Sequence, residues 1–179
     1  VGPKGRVYAI VPHIGANPQF VREQREELLK QGKPVPARPI DSILELQNVA
    51  DYANVTALWE GLNQYGGHVS VPEQVDVFWT SDNYHDLKNK RFGSNTGPLN
   101  MVAVDKAIFA ALKPSGVFVI LDHAAAKGAG FSQTETLHRA EADAVKAEVL
   151  QAGFVFDGQS NALADPTDDH SKPIFQLHD

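Results

Sequence analysis

Cysteine is absent from the 179-residue chain. That removes disulfides, thiolate metal centres and a cysteine nucleophile, and it leaves cytoplasm and periplasm equally open as compartments. No apolar run approaches the ~18–20 residues of a membrane-spanning helix, so no membrane partner is expected. Basic excess is lacking too: 16 Lys and Arg face 22 Asp and Glu, a net charge of −6. Nucleic-acid binders usually carry a basic face, so nucleic acid is not the expected partner. No G-x-G-x-x-G occurs, which weighs against a nicotinamide dehydrogenase, and neither H-E-x-x-H nor a close H-x-H pair occurs, which weighs against a metal site. A starting Met is missing as well. Val1-Gly2-Pro3-Lys4-Gly5 carries no signal-peptide pattern, and the expectation is of a processed or truncated chain.

What is present is an ordinary globular composition, 42% hydrophobic and 21% charged, long enough for one domain over residues 1–179 with its own core. Arg6–Val11 reads as a strand. Asn17-Pro18 then starts a helix that Gly32 stops, and Asp41 stands ready to cap a second. Asn54–Leu58 is the next strand. Val75–Thr80 is a third, apolar on both faces as a buried parallel strand would be. Met101, Val104, Ile108, Phe109 and Leu112 mark an amphipathic helix. Lys113-Pro114-Ser115-Gly116 makes a turn into the strand Val117–Leu121. Ser132 and Glu135 match a capping box for a helix running to Gly153. Phe154–Phe156 and Ile174–Leu177 read as short strands. Strands alternating with helices point to an α/β fold with a mainly parallel sheet. In such sheets ligands bind beyond the carboxyl ends of the strands. Two neighbouring strands end in polar clusters, Asp82-Asn83-Tyr84-His85 and Asp122-His123.

The stretch from Leu112 to Ile120, LKPSGVFVI, resembles the L-K-P-G-G turn and fifth strand of class I S-adenosylmethionine-dependent methyltransferases, with Ser115 in place of the first glycine. Gly153-Phe154 is similar to the junction leading into their sixth strand. Together FWTSDNYHDL, LDHAAAKGAG and ETLHRAEADAVKAEVLQAGF resemble a group of bacterial predicted methyltransferases over nearly the whole chain. The resemblance implies a three-layer Rossmann-like fold lacking its first strand and, at the other end, its last. It implies S-adenosylmethionine as cofactor and a small-molecule acceptor. Two features depart from the family: its glycine-rich loop is missing, and Val11-Pro12-His13 replaces the acidic end of its second strand. A fragment or a degenerate, non-catalytic member is the competing expectation.

By the resemblance, Asp82, Asn83 and Tyr84 are catalytic candidates, and His85 and His123 join them as imidazoles at the ends of neighbouring strands. Val11, Trp59, Glu60 and Asp82 are expected at the cofactor, and Asp122, His138 and Arg139 at the substrate. Methyl transfer is an in-line displacement, in which alignment of donor and acceptor supplies most of the effect. Asn83 would orient the acceptor. Tyr84 would give a wall and a hydroxyl. His85 is the favoured base, because imidazole changes charge near neutral pH. The plainer reading makes Asp82 and Asn83 turn caps and pairs Arg139 with Glu135 or Glu141. Lys127-Gly128-Ala129-Gly130 reads as a turn or a mobile lid. Asp168-Asp169-His170, with the other histidines, raises a metal-dependent enzyme as a weaker alternative; the expected metal is none. An incomplete sheet would expose edges that a second copy could cover, so a homodimer is open.

Overall fold

A computed structural model of the protein describes residues 1–2, 4–11, 18–35, 39–46, 48–58, 62–63, 68–89 and 99–177. The chain divides into two compact units, Val1–Asn63 with Val69–Pro72, and Gln64–His68 with Glu73–Asp179. Among the described residues no helix is long and apolar enough to cross a membrane.

In the first unit the elements are β1 (Val7–Ile10), α1 (Pro18–Lys30), α2 (Pro39–Leu46), β2 (Val55–Leu58) and the two-residue β3 (Leu62–Asn63). β1 and β2 are parallel, with Val7 opposite Val55 and Ile10 opposite Leu58. The Asn54 amide donates to the carbonyls of Gly2 and Gly5, which fixes the entry into β1. Pro18 opens α1, where a missing N–H costs nothing. Gly32 closes it at φ +64°, with Gly32 N–H donating to Leu29 O and Lys33 N–H to Leu28 O. That is the glycine-terminated cap the sequence predicts. Asp41 falls inside α2 rather than before it, because Pro39 already occupies the first helical position.

A second short strand, β4, is His68–Val69. The second unit then holds β5 (Val75–Ser81), α3 (Met101–Ala111), β6 (Leu112–Leu121) and α4 (Ala142–Gln151). β5 and β6 are parallel, in register from Val77 opposite Val117 to Ser81 opposite Leu121. The expected turn at residues 113–116 exists, as an irregularity inside β6: Val75 faces Leu112 and Val77 faces Val117, so the intervening residues bulge opposite Asp76. Lys113 pairs with Asp76 there. Ser115 sits at φ +67°, a left-handed conformation that glycine adopts without penalty and serine does not. This gives a physical reason for glycine at that position in the resembling turn.

One side of the β5–β6 pair carries an aromatic row. Phe78 meets Phe118 edge-on, Phe118 lies 5.5 Å from Phe154, and Phe154 meets Phe109 of α3. Side chains alternate along a strand, so Val77 and Trp79 point the other way and are 54% and 61% exposed. The expected burial of β5 on both faces is not met: Phe78 and Thr80 are half-buried on one face, and Val77 and Trp79 are exposed on the other. α3 starts at Asn100, whose side chain accepts the Ala103 N–H. It buries Met101, Val104, Asp105, Ile108 and Ala111, the helical spacing read from the sequence.

Three expected elements differ. The helix predicted from Ser132 begins at Ala142, since residues 124–140 are held by long-range bonds that override the local capping signal. Ser132 instead donates to Ala129 O. Phe154–Phe156 forms no strand, as Phe154 packs into the aromatic row and Phe156 lies under Lys146. Ile174–Gln176 is a single turn of 3-10 helix. Helices with small parallel strand pairs make the fold α/β.

Beneath the strand ends lies a buried polar network. The Tyr84 hydroxyl is 2.9 Å from Asp105 and 2.8 Å from Glu148, and Lys88 pairs with Glu148. A phenol has one proton, so it can donate to only one of the two carboxyls. The other must bring its own. Burial pushes the Asp105 carboxyl up to about 7, and the Glu148 charge adds to that against Tyr84 and Lys88. Below about pH 7 Asp105 is thus the carboxyl that carries a proton and donates to Tyr84, which donates to Glu148. Burial likewise pushes the Tyr84 phenol upward, so it remains a donor. Between about pH 4 and 7 the folded protein keeps a proton on Asp105 that the unfolded chain releases. Stability therefore falls as pH rises through that window, by up to about 4 kcal/mol. An amide can donate where the protonated carboxyl does, so Asp105→Asn should be close to neutral at pH 4.5 and stabilising at pH 8. Urea denaturation at both pH values checks this; a difference independent of pH would contradict the assignment.

Candidate functional site

The tail of β5 and the end of β6 meet. Asp82 N–H continues the ladder by donating to Leu121 O at 2.9 Å. Asp82 then turns the chain at φ +54°, a left-handed conformation that aspartate tolerates better than most residues. The reversal brings His85 against Asp122. Asp122 accepts the His85 backbone N–H at 2.7 Å, the His85 Nδ1–H at 2.6 Å and the His123 backbone N–H at 2.8 Å. A carboxylate on Nδ1 fixes the ring's tautomer and orientation and leaves Nε2 as the unprotonated nitrogen. His85 is only 1% exposed.

Facing Nε2 are His138 and Asp86. His85 Nε2 is 3.3 Å from His138 Nδ1 and 3.6 Å from Asp86 Oδ1, and His138 Nδ1 is 3.4 Å from Asp86 Oδ1. Asn89, itself buried, donates to Asp86 Oδ1 at 2.8 Å and orients it. His138 holds φ +56°, strain that a non-glycine residue keeps only when its surroundings impose it. They do. Ala125 N–H donates to Ala140 O, and Ala140 N–H to His123 O. Phe175 stacks edge-on against the His138 ring at 4.8 Å.

Arg139 is the main anchor of that loop. Its Nη1 and Nη2 grip the Asp168 carboxylate at 2.8 and 2.9 Å, Nη1 also donates to Ala124 O, and Nε donates to Lys172 O. The guanidinium is buried, so its expected roles as substrate clamp or partner of Glu135 or Glu141 give way to a structural one. Burial acts to raise the Asp168 carboxyl, but hydrogen bonds from Arg139 and the His170 amide hold it below the usual carboxylate range. Glu141 accepts the amides of Gly128 and Gly130, each at 2.8 Å, which hold its carboxyl low. Those glycines sit at φ +86° and +56°, so the segment expected as a turn or a lid is a turn fastened by a carboxylate.

Tyr84 is buried with its hydroxyl committed to Asp105 and Glu148, so it buttresses the site from behind. Asn83 is exposed, and its carbonyl accepts the Thr80 hydroxyl. His123 is partly exposed, with Nε2 3.7 Å from Asp82 Oδ1. Asp122, expected at the substrate, has its carboxylate spent on positioning His85. In the other unit, Val11 N–H donates to Leu58 O; Trp59 and Glu60 lie outside the described residues. Asp169 accepts from Ser171 and Asp168 from Arg139. Among the described residues, the histidine and carboxylate donors that gather within reach of one another are therefore His85, Asp86 and His138. Sequence reading assigned Asp86 no role. Its adjacency to His85 was the available signal, but its convergence with His138, far along the chain, was not readable. No family model, curated protein or solved structure matches the chain.

The Arg139–Asp168 pair yields a stability prediction. Asp168→Asn leaves a buried guanidinium without its countercharge, a loss of about 3–5 kcal/mol. Because the folded carboxyl is held low, its contribution is present at neutral pH and is lost as pH falls through its folded value. The gap between wild type and variant in urea denaturation should be full at pH 7 and shrink at pH 3. A gap below about 1 kcal/mol at pH 7 would instead mean a solvated pair.

Proposed function

We propose that the chain is a methyltransferase-like enzyme that moves a methyl group from S-adenosylmethionine to a small-molecule acceptor, on a three-layer Rossmann-like scaffold. The observation that carries this reading is the meeting of Asp82–His85 and Asp122–His123 at the carboxyl ends of two adjacent parallel strands, where α/β enzymes bind ligands. The motifs resembling methyltransferases supply the reaction class. The acceptor's nucleophilic atom forms a bond to the methyl carbon as the carbon–sulfur bond breaks, and an acceptor that carries a proton gives it up. His123 is the better proton acceptor: its ring reaches solvent beside Asp82, whereas both ring nitrogens of His85 face partners inside the protein. Asp82, exposed at the rim, suits a hydroxyl of the donor's ribose. Asn83, exposed beside it, suits orientation of the acceptor.

Titration with S-adenosylmethionine tests the reading. Binding to the folded state raises the melting temperature, equivalent to about 2.7 kcal/mol at a hundredfold excess over Kd. The absence of both binding heat and a melting shift would overturn it. Asn83→Ala should cut methyl transfer by about 10- to 100-fold through misalignment. Stability should stay within about 0.5 kcal/mol, as for most surface changes. A large fall in stability with unchanged turnover would make Asn83 only a turn residue.

A further inference from the structure

We infer that His85, Asp86 and His138 form a binding site for a single zinc ion, with a fourth coordination position open to an oxygen ligand. The donor set is two imidazole nitrogens and one carboxylate oxygen, the three-ligand complement of catalytic zinc centres. The three separations are 3.3, 3.4 and 3.6 Å, so an ion displaced slightly from the plane of the three atoms lies about 2.1 Å from each, which matches zinc–nitrogen and zinc–oxygen bonds. They also discriminate geometry. Bonds of about 2.0–2.1 Å separate tetrahedral ligands by about 3.3 Å and octahedral neighbours by about 2.9 Å. The observed spacing is that of the tetrahedral case.

The surroundings are those of a ligand set. Asp122 holds Nδ1 of His85 at 2.6 Å, the carboxylate–histidine arrangement that orients a metal-bound imidazole and raises its basicity. Asn89 orients Asp86. His138 is locked in a strained backbone conformation beside the buried Arg139. With zinc there, the open position would take a hydroxyl or carboxylate oxygen and lower the pKa of a bound hydroxyl. The site stands on its own geometry and does not depend on methyl transfer.

The test uses the intact chain stripped with chelator, reloaded with ZnCl2 and dialysed, with zinc counted by elemental analysis and affinity measured by calorimetry. One equivalent per chain is expected. The cobalt(II)-loaded protein should show the intense visible bands of four-coordinate cobalt. His138→Ala and Asp86→Asn should abolish stoichiometric binding, with urea denaturation confirming that each variant is folded. Asp122→Asn should weaken it by about 10- to 100-fold, and His123→Ala should leave it intact. Absence of stoichiometric zinc in the folded wild type, or zinc retained equally by His138→Ala and Asp86→Asn, would overturn the site. Neither readout involves a methyl donor, so donor binding without zinc, or zinc without donor binding, separates this inference from the enzymatic reading.

Discussion

One carboxylate joins the two strand ends of the larger unit. Asp122 receives two hydrogen bonds from His85 and one from the amide of His123. Charge-assisted bonds of this kind are stronger than neutral ones, and here they are shielded from water. Remove them and the His85 ring loses the hydrogen bond that holds its proton on Nδ1. The same bonds draw the polar tail of β5 across the end of β6, so an apolar strand ends in a cluster of titratable side chains.

Two layers of support surround that carboxylate. Behind it, Tyr84, Asp105, Glu148 and Lys88 tie the loop after β5 to α3 and α4 through buried polar contacts. Such a network stabilises only when every proton is accounted for, and a protonated Asp105 completes the chain of donors. Beside it, Arg139 ties the loop after β6 to residues 168–172 and carries His138 to the cluster. Buried ion pairs of this type add little net stability compared with an apolar core. Their effect here is to fix position, in a loop that has little regular secondary structure of its own.

Much of this was legible in the sequence, for identifiable reasons. α1, α3, β1, β2 and β5 follow from caps, periodicity and apolar runs, all of which act locally. So did the placing of Asp82–His85 and Asp122–His123 at strand ends. The misreadings fall where tertiary contacts outvote local signals. Ser132 and Glu135 spell a helix start, yet Arg139, Glu141 and the Ala124–Ala140 bridge impose turns there. Phe154 has strand propensity, but a slot between Phe109 and Phe118 claims it. Arg139 reads as a surface cation because Glu135 and Glu141 are near in sequence, while its partner Asp168 lies much farther along. Asp86 drew no attention because only folding brings His138 to it.

The account is tested most directly by nitrogen-15 NMR of the histidine rings in metal-free protein. Long-range proton–nitrogen correlations at neutral pH should show His85 with its proton on Nδ1, hydrogen-bonded and slow to exchange, and Asp122→Asn should erase that slow exchange. A proton found on Nε2 of His85, or an Nδ1 proton exchanging as fast in the wild type as in the variant, would contradict it.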